Sequence, residues 1–378
     1  MQTIETHRST QLEFRVPNGS VGVAYKETLR VEGITIKYIY GLETISGLSL
    51  NSSTHIIEGT PKRAGDFSLR VKTSIGDSYL HITINPNPKS LWQNIAPDKN
   101  AIFFKDNHSS LYIETPDNTR LLSVSQRGRS HAHNGKFRDD DALIAYSDSG
   151  WSILAVADGA GSCSLSRRGS QIAVDSSVEA LMQLLDNDTD ETEELLLAQE
   201  SMIKSVSKAL LDIEEEAKAI DRDIKEFSTT LLLSAHKKIE DGRHCIITFW
   251  VGDGALALYR EGKDVTILGS PDSSEYAGET RFLDHNTLKD AQVRVTASIV
   301  DDFTALILLT DGISDPFFRT DDELNSIDMW DKMFEYDGLR EIINNRDIEI
   351  ATKELLEWLD FWKVGSHDDR SMTVLKLA

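Results

Sequence analysis

Two uncharged apolar runs, ILAVA (153–157) and ALILLT (305–310), each stop at the same dipeptide, Asp158-Gly159 and Asp311-Gly312. A strand with no polar face must be covered on both sides, so a chain built on such runs needs layers stacked on its sheets. An Asp at the exit of a buried strand is aimed out of the sheet's end. The glycine behind it permits a tight turn and leaves backbone carbonyls facing a ligand.

The remaining pattern separates into two regions. Through the first ninety or so residues, short β-rich runs (LEFRV, TLRVEGITIKYIY, FSLRVKTSI, SYLHITI) alternate with turn signals, and no helical period is evident. A small antiparallel sandwich is expected over 1–88. The proline-bearing NPNPKS (85–90) cannot continue a strand, which places a linker over 89–100. Over 101–378, ALIAYS and WSILAVAD flank a hairpin at Asp148-Ser149-Gly150. Helical spacing follows at Ile172, Val174, Val178, Leu181 and Leu184, then over about Glu191 to Lys218. TTLLLSAHKK, HCIITFWVGDG and ALALYR are expected strands, helical stretches lie near 321–337 and 348–362, and SMTVLKLA closes the chain as a strand. Strands punctuated by paired helices without strict alternation indicate α+β with helices outside the sheets.

The net charge of −22 argues against a nucleic-acid partner, because phosphate backbones reward Lys and Arg clusters. No uncharged apolar run reaches about 18 residues, so no membrane span is expected. With two cysteines, Cys163 and Cys245, and no apolar leader in MQTIETHRSTQLEF, the expected compartment is the cytoplasm.

Acid gathers at Asp139-Asp140-Asp141, Asp158, Asp311 and Asp368-Asp369. If these strand ends converge, the carboxylates raise one another's pKa, and a hard divalent cation with oxygen ligands relieves the repulsion. No His/Cys set has zinc-ligand spacing, and His131 with His133 does not make one. Asp241-Gly242 and Asp253 read as hairpin turns, with Asp253 a structural hydrogen-bonder and not a ligand.

In order along the chain, GRSHAHNGKFRDDDAL, AVADGAGS, SRRGSQIAV, FSTTLLL, VGDGALALYR, ILLTDGISD and HDDRSMTVL resemble the metal-dependent protein phosphatases of type 2C, the PPM family, in a bacterial branch. The resemblance covers roughly residues 120–378. It implies an α-β-β-α sandwich and hydrolysis of phosphoserine or phosphothreonine by a metal-activated water at a dinuclear Mn²⁺ or Mg²⁺ centre, with a third, weaker ion in some members. By position it implies metal ligands at Asp140, Asp141, Asp158, the Gly159 carbonyl, Asp311 and Asp368. The family's phosphate-binding Arg falls on Lys136, with Arg129 or Arg138 as substitutes. Its His after Asp-Gly falls on Ala160, with His131 as the replacement. The third ion's acid falls near Lys225, beside Asp223. Cys163 has no role in such chemistry.

GLSLNSSTHIIEGTPKRAGDFSLRV resembles immunoglobulin-like domains of bacterial multidomain proteins, which implies partner binding or substrate positioning for the N-terminal region. The implied partners are phosphorylated proteins and a cognate Ser/Thr kinase or its targets. A catalytically silent scaffold of the same fold is the competing expectation, motivated by Lys136 and Ala160, as is an exported adhesion or sensor protein led by the N-terminal region.

Overall fold

The computed structural model describes residues 13–29, 33–186, 191–272 and 280–378, and the chain divides into two compact units, Met1–Gln93 and Asn94–Ala378. The first unit is all-β. Its strands are β1 (Glu13–Arg15), β2 (Gly19–Ser20), β3 (Tyr25–Thr28), β4 (Ile36–Ile39), β5 (Leu48–Asn51), β6 (Ile56–Gly59), β7 (Gly65–Thr73) and β8 (Asp77–Asn85). One sheet runs β1-β8-β7-β4 with β2 also on β8, and the other runs β3-β6-β5. Ile36, Leu48, Ile57, Val71 and Leu80 fill the space they enclose. The expected antiparallel order fails at one edge, where β1 and β2 both run parallel to β8. Pro17 lies between them and has no N–H for the ladder, so one edge segment pairs in two short pieces. Gly59, at φ 143°, belongs to the Gly-Thr-Pro turn. A Cβ there would come within 2.7 Å of the Gly47 carbonyl oxygen, so the turn requires glycine.

The second unit opens with β9 (His108–Glu114), β10 (Arg120–Gln126), α1 (Arg129–Asn134), β11 (Asp141–Tyr146), β12 (Ser152–Ala157), α2 (Ser166–Leu185) and α3 (Glu191–Ala219). There follow β13 (Leu231–Lys238), β14 (His244–Val251), β15 (Ala255–Arg260), β16 (Asp264–Ile267), α4 (His285–Lys289), α5 (Ala291–Arg294) and β17 (Val295–Val300). The last part is β18 (Ala305–Leu309), α6 (Asp311–Phe317), α7 (Asp321–Leu324), α8 (Ile327–Glu335), α9 (Leu339–Asn344), α10 (Ile348–Trp358) and β19 (Arg370–Lys376). Two sheets form, β16-β15-β18-β19-β10-β9 and β11-β12-β13-β14-β17, and every pairing within them is antiparallel.

The period of two along each strand builds the four layers. On β12, Ile153 and Ala155 face α2 and α3, whereas Leu154 and Val156 face the opposite sheet. On β18, Ile307 and Leu309 face the helices α6 to α10, whereas Leu306 and Leu308 face inward. Both faces are covered, which is why these strands are apolar without alternation. The fold is an α-β-β-α sandwich of the α+β class. Residues from Asn94 onward pack within this unit: the Ile95 N–H donates to the Ala132 carbonyl at 2.9 Å, and Arg127 Nη2 donates to Asn94 Oδ1 at 2.6 Å. Among the described residues no helix is long and apolar enough to cross a membrane.

Candidate metal centre

Strand register brings the acids together. Val156 pairs with Leu232, and Leu231 pairs with Val251, so Asp158 leaves its sheet at the end where β14 turns into β15 through Asp253. In the other sheet Ala255 pairs with Leu309, and Leu309 with Met372, so Asp311 and Asp368-Asp369 emerge at one end of β18 and β19. Asp158, Asp253 and Asp311 offer carboxylate oxygens within 4.8 Å of one another, as do Asp368, Asp369 and a ring nitrogen of His131.

Asp158 is held through its own backbone groups. The Asp158 N–H donates to Thr230 Oγ1 at 2.8 Å, and the Asp158 carbonyl accepts from the Thr230 N–H at 2.8 Å and Thr229 Oγ1 at 3.0 Å. The Ser228-Thr229-Thr230 run is thus the clamp on the strand exit. Between these two segments the ladder uses the Asp158 carbonyl and the Ala160 N–H, which donates to the Ser228 carbonyl. The Gly159 carbonyl is not among its acceptors. The glycines of the two Asp-Gly pairs serve close approach, not the tight turn expected from sequence. A Cβ on Gly159 would sit 2.5 Å from the Asp139 carbonyl oxygen, and one on Gly312 would sit 1.8 Å from that of Asp369. Asp311 opens helix α6, and no turn forms there.

The electrostatics follow from crowding in a poorly solvated place. Burial, then Asp311 and Asp140, raise the Asp158 carboxyl well above its ordinary range. Burial, then Asp253 and Asp368, do the same to Asp311. Asp140 is pushed up to about 7 by burial and by Asp369, although Thr310 Oγ1 donates to its Oδ2 at 2.7 Å and its carboxyl hydrogen-bonds that of Asp158. Asp315, four residues beyond Asp311 on α6, rises to about 6 through burial and Asp253. Asp253 Oδ1 is buried and, among the described residues, has no hydrogen-bond partner. An all-oxygen donor set with mutually raised carboxyls and one orphaned buried oxygen fits a hard divalent cation.

Several expected residues stand elsewhere. Asp141, expected as a ligand, has its oxygens committed to Lys105 Nζ at 2.9 Å and Arg138 Nη1 at 3.2 Å, which hold it below the usual carboxylate range against the opposing effect of burial. Arg129 pairs with Asp360, donates to the Phe361 carbonyl and lies over the Trp362 ring at 5.2 Å. Arg138 is likewise engaged, with Asp106, Asp140 and Asp141. Asp223 caps a short turn by accepting the Lys225 N–H at 3.0 Å. Asp253, expected as a hairpin turn or structural hydrogen-bonder, accepts from Thr280 Oγ1 at 2.5 Å, and it and Asp315 both stand beside Asp311. Lys136 is exposed, with Nζ 3.4 Å from the Gly161 carbonyl oxygen, on the loop that follows Asp158.

His131 is buried, with Nδ1 2.9 Å from Asp369 Oδ2 and Nε2 3.8 Å from Asp139 Oδ2. Burial lowers its pKa, but Asp369 and Asp139 outweigh that and carry it to about 9. Lys105 gave no signal in sequence: its fully buried ammonium donates to the carbonyls of Asp140 and Arg167 and contacts Ser170 Oγ, pinning the acidic segment from beneath.

A family model described as protein phosphatase 2C matches residues 127–360. Curated proteins give no match. Among solved structures, a serine/threonine phosphatase of S. agalactiae aligns at 15% identity and TM-score 0.39, over 69% of this chain and 100% of that one. A PPM Ser-Thr phosphatase from Mycobacterium smegmatis in complex with cacodylate aligns at 16% and TM-score 0.37, over 68% and 98%. A serine-threonine phosphatase 2C from Toxoplasma gondii aligns at 11% and TM-score 0.44, over 71% and 99%.

Proposed function

This chain belongs to the protein phosphatase 2C family, and from that membership we propose that it hydrolyses phosphoserine and phosphothreonine in proteins at the Asp158 end of the sandwich. The observation that supports this most is the convergence of Asp158, Asp253 and Asp311 within 4.8 Å, from three strand ends, with an Asp253 oxygen that has no partner among the described residues. Asp158, Asp311, Asp368, Asp253 and the Gly159 carbonyl are the donors for Mn²⁺ or Mg²⁺, and Asp315 is placed to join Asp253 and Asp311 around a further ion. Such cations, when bound, acidify water and offset negative charge on phosphoryl oxygens.

The chain's own groups do the rest. The threonine clamp fixes Asp158, and the Thr310 hydroxyl fixes Asp140 behind it. Lys136, exposed on the rim, supplies a cation for the phosphoryl group as a point charge without the fork of an arginine. Ala160, where a histidine was expected to donate a proton, brings none. The substrates are phosphorylated proteins, and the reaction opposes a Ser/Thr kinase. The all-β N-terminal unit, which exposes Tyr38, Tyr40 and Arg70, is assigned to binding a partner or substrate. Turnover of p-nitrophenyl phosphate and of a phosphothreonine peptide with Mn²⁺ tests the reading. No turnover would leave the silent scaffold as the function, and turnover unchanged in Asp158→Asn would refute a reaction at this centre.

A further inference from the structure

The donors named so far are all oxygens, yet one imidazole stands at their margin in a particular setting. The His131 side chain is 9% exposed, and its Nδ1 lies 2.9 Å from Asp369 Oδ2. Asp369 is itself fixed: Oδ1 accepts the Gly128 N–H at 2.6 Å and Oδ2 accepts the Asp139 N–H. The ring therefore has a set orientation. Its other nitrogen, Nε2, makes no hydrogen bond among the described residues, and the nearest acid, Asp139 Oδ2, stands 3.8 Å away, too far for one. An Asp368 oxygen lies within 4.8 Å of the same histidine and of Asp369. A histidine anchored at one nitrogen by a carboxylate, with the other turned unbonded toward further carboxylates, has the layout in which imidazoles ligate metals.

We infer that the cation held by Asp368 also takes His131 Nε2 and the Asp139 carboxylate as donors, with Asp369 as the positioning residue. The inference rests on the metal-centre reading above but goes beyond its oxygen-only donor set. A nitrogen donor moves that ion position away from Mg²⁺, which favours oxygen, and toward first-row transition cations such as Mn²⁺, Fe²⁺ or Zn²⁺. The other positions, built from Asp158, Asp253 and Asp311, keep their preference for hard ions. One chain would then carry two ion positions of unlike selectivity.

The test uses the full chain stripped of metal and titrated with Mn²⁺, read by pulsed electron paramagnetic resonance. Direct ¹⁴N coupling to Mn²⁺ is expected in the wild type, and the lines should move when the protein is made with ¹⁵N-histidine, which needs no substitution. His131→Gln should lose the coupling and lower the Mn²⁺-over-Mg²⁺ preference about tenfold in competition titrations. Asp369→Asn should weaken the coupling while circular dichroism shows the fold retained. Wild-type protein that binds Mn²⁺ and hydrolyses p-nitrophenyl phosphate without ¹⁴N coupling would overturn the inference and leave the phosphatase reading intact, with His131 only a counter-charge or proton donor. Coupling that survives His131→Gln would overturn it as well. Absence of any Mn²⁺ binding would overturn both.

Discussion

The Thr310 hydroxyl donates to Asp140 Oδ2 at 2.7 Å and accepts the Ser371 N–H at 2.9 Å, so one buried side chain ties the acid of one sheet edge to the start of β19 in the other sheet. Thr310→Val keeps the shape and removes both bonds, leaving a buried N–H and a buried carboxyl oxygen short of a partner. The expected cost is about 1–3 kcal/mol by denaturant unfolding. Mn²⁺ affinity should fall roughly 10–100-fold by calorimetry, because the carboxyl that Thr310 holds is the one hydrogen-bonded to the donor Asp158. Thr310→Ser should restore most of both.

Crowded carboxyls make the metal-free protein respond to pH in a definite direction. Asp140, at about 7, and Asp315, at about 6, titrate above the ordinary carboxylate value of about 4 that they regain on unfolding. Between those values the folded chain binds more protons than the unfolded one. Their contribution is therefore fully present below about pH 4 and is lost as pH rises through 6 to 7. Thermal melts of the stripped protein should show this decline, and saturating Mn²⁺ should abolish it. Asp158→Asn should raise the melting temperature of the stripped protein, because it removes one buried like charge, and should remove most of the gain that Mn²⁺ confers.

The glycines give a steric prediction with an internal control. Gly312→Ala places a Cβ 1.8 Å from the Asp369 carbonyl oxygen, a backbone atom that cannot yield without moving the Asp368-Asp369 segment. A destabilisation beyond about 3 kcal/mol is expected. Gly161→Ala meets nothing within 4 Å and should be neutral, or stabilising by up to about 1 kcal/mol through the unfolded chain. Equal effects at the two sites in chemical unfolding would refute the close-approach account.

How much of this was legible in sequence depended on what each residue's role required. Asp158 and Asp311 were visible because a carboxylate after a fully apolar strand has few explanations, and the order of motifs fixed the family and its four layers. Asp253 does lie in the hairpin between β14 and β15 and accepts from Thr280 Oγ1 at 2.5 Å, but its nearness to other acids was hidden, because only the pairing of Ala255 with Leu309 puts it beside Asp311. Asp315 sits four residues after Asp311, a spacing that shares one helical face, but DGIS read as a turn hid the helix. Asp141 shows the converse: it adjoins Asp140, yet strand alternation sends it to Lys105 and Arg138 on the other side. Lys105 lies 35 residues before Asp140, and no local pattern announces a long-range pin.

A second titration lies far from the acids, where His236 and His244 stack with ring centroids 5.1 Å apart and share a hydrogen bond of 2.9 Å against Phe303. Burial first, then His244, lower the His236 pKa to about 3, and burial lowers that of His244. Unfolding returns His236 to about 6.5, so below that pH the unfolded chain binds the extra proton and stability falls as pH falls. The effect should amount to about 1.4 kcal/mol per pH unit between roughly pH 6 and 4. With the acids saturated by Mn²⁺, this arm should dominate the unfolding profile over the part of that range where the metal stays bound. His236→Gln keeps a side-chain donor for His244 Nδ1 but cannot titrate. Its stability should be nearly flat where the wild type declines, and parallel profiles would show that the pair is not the group responsible.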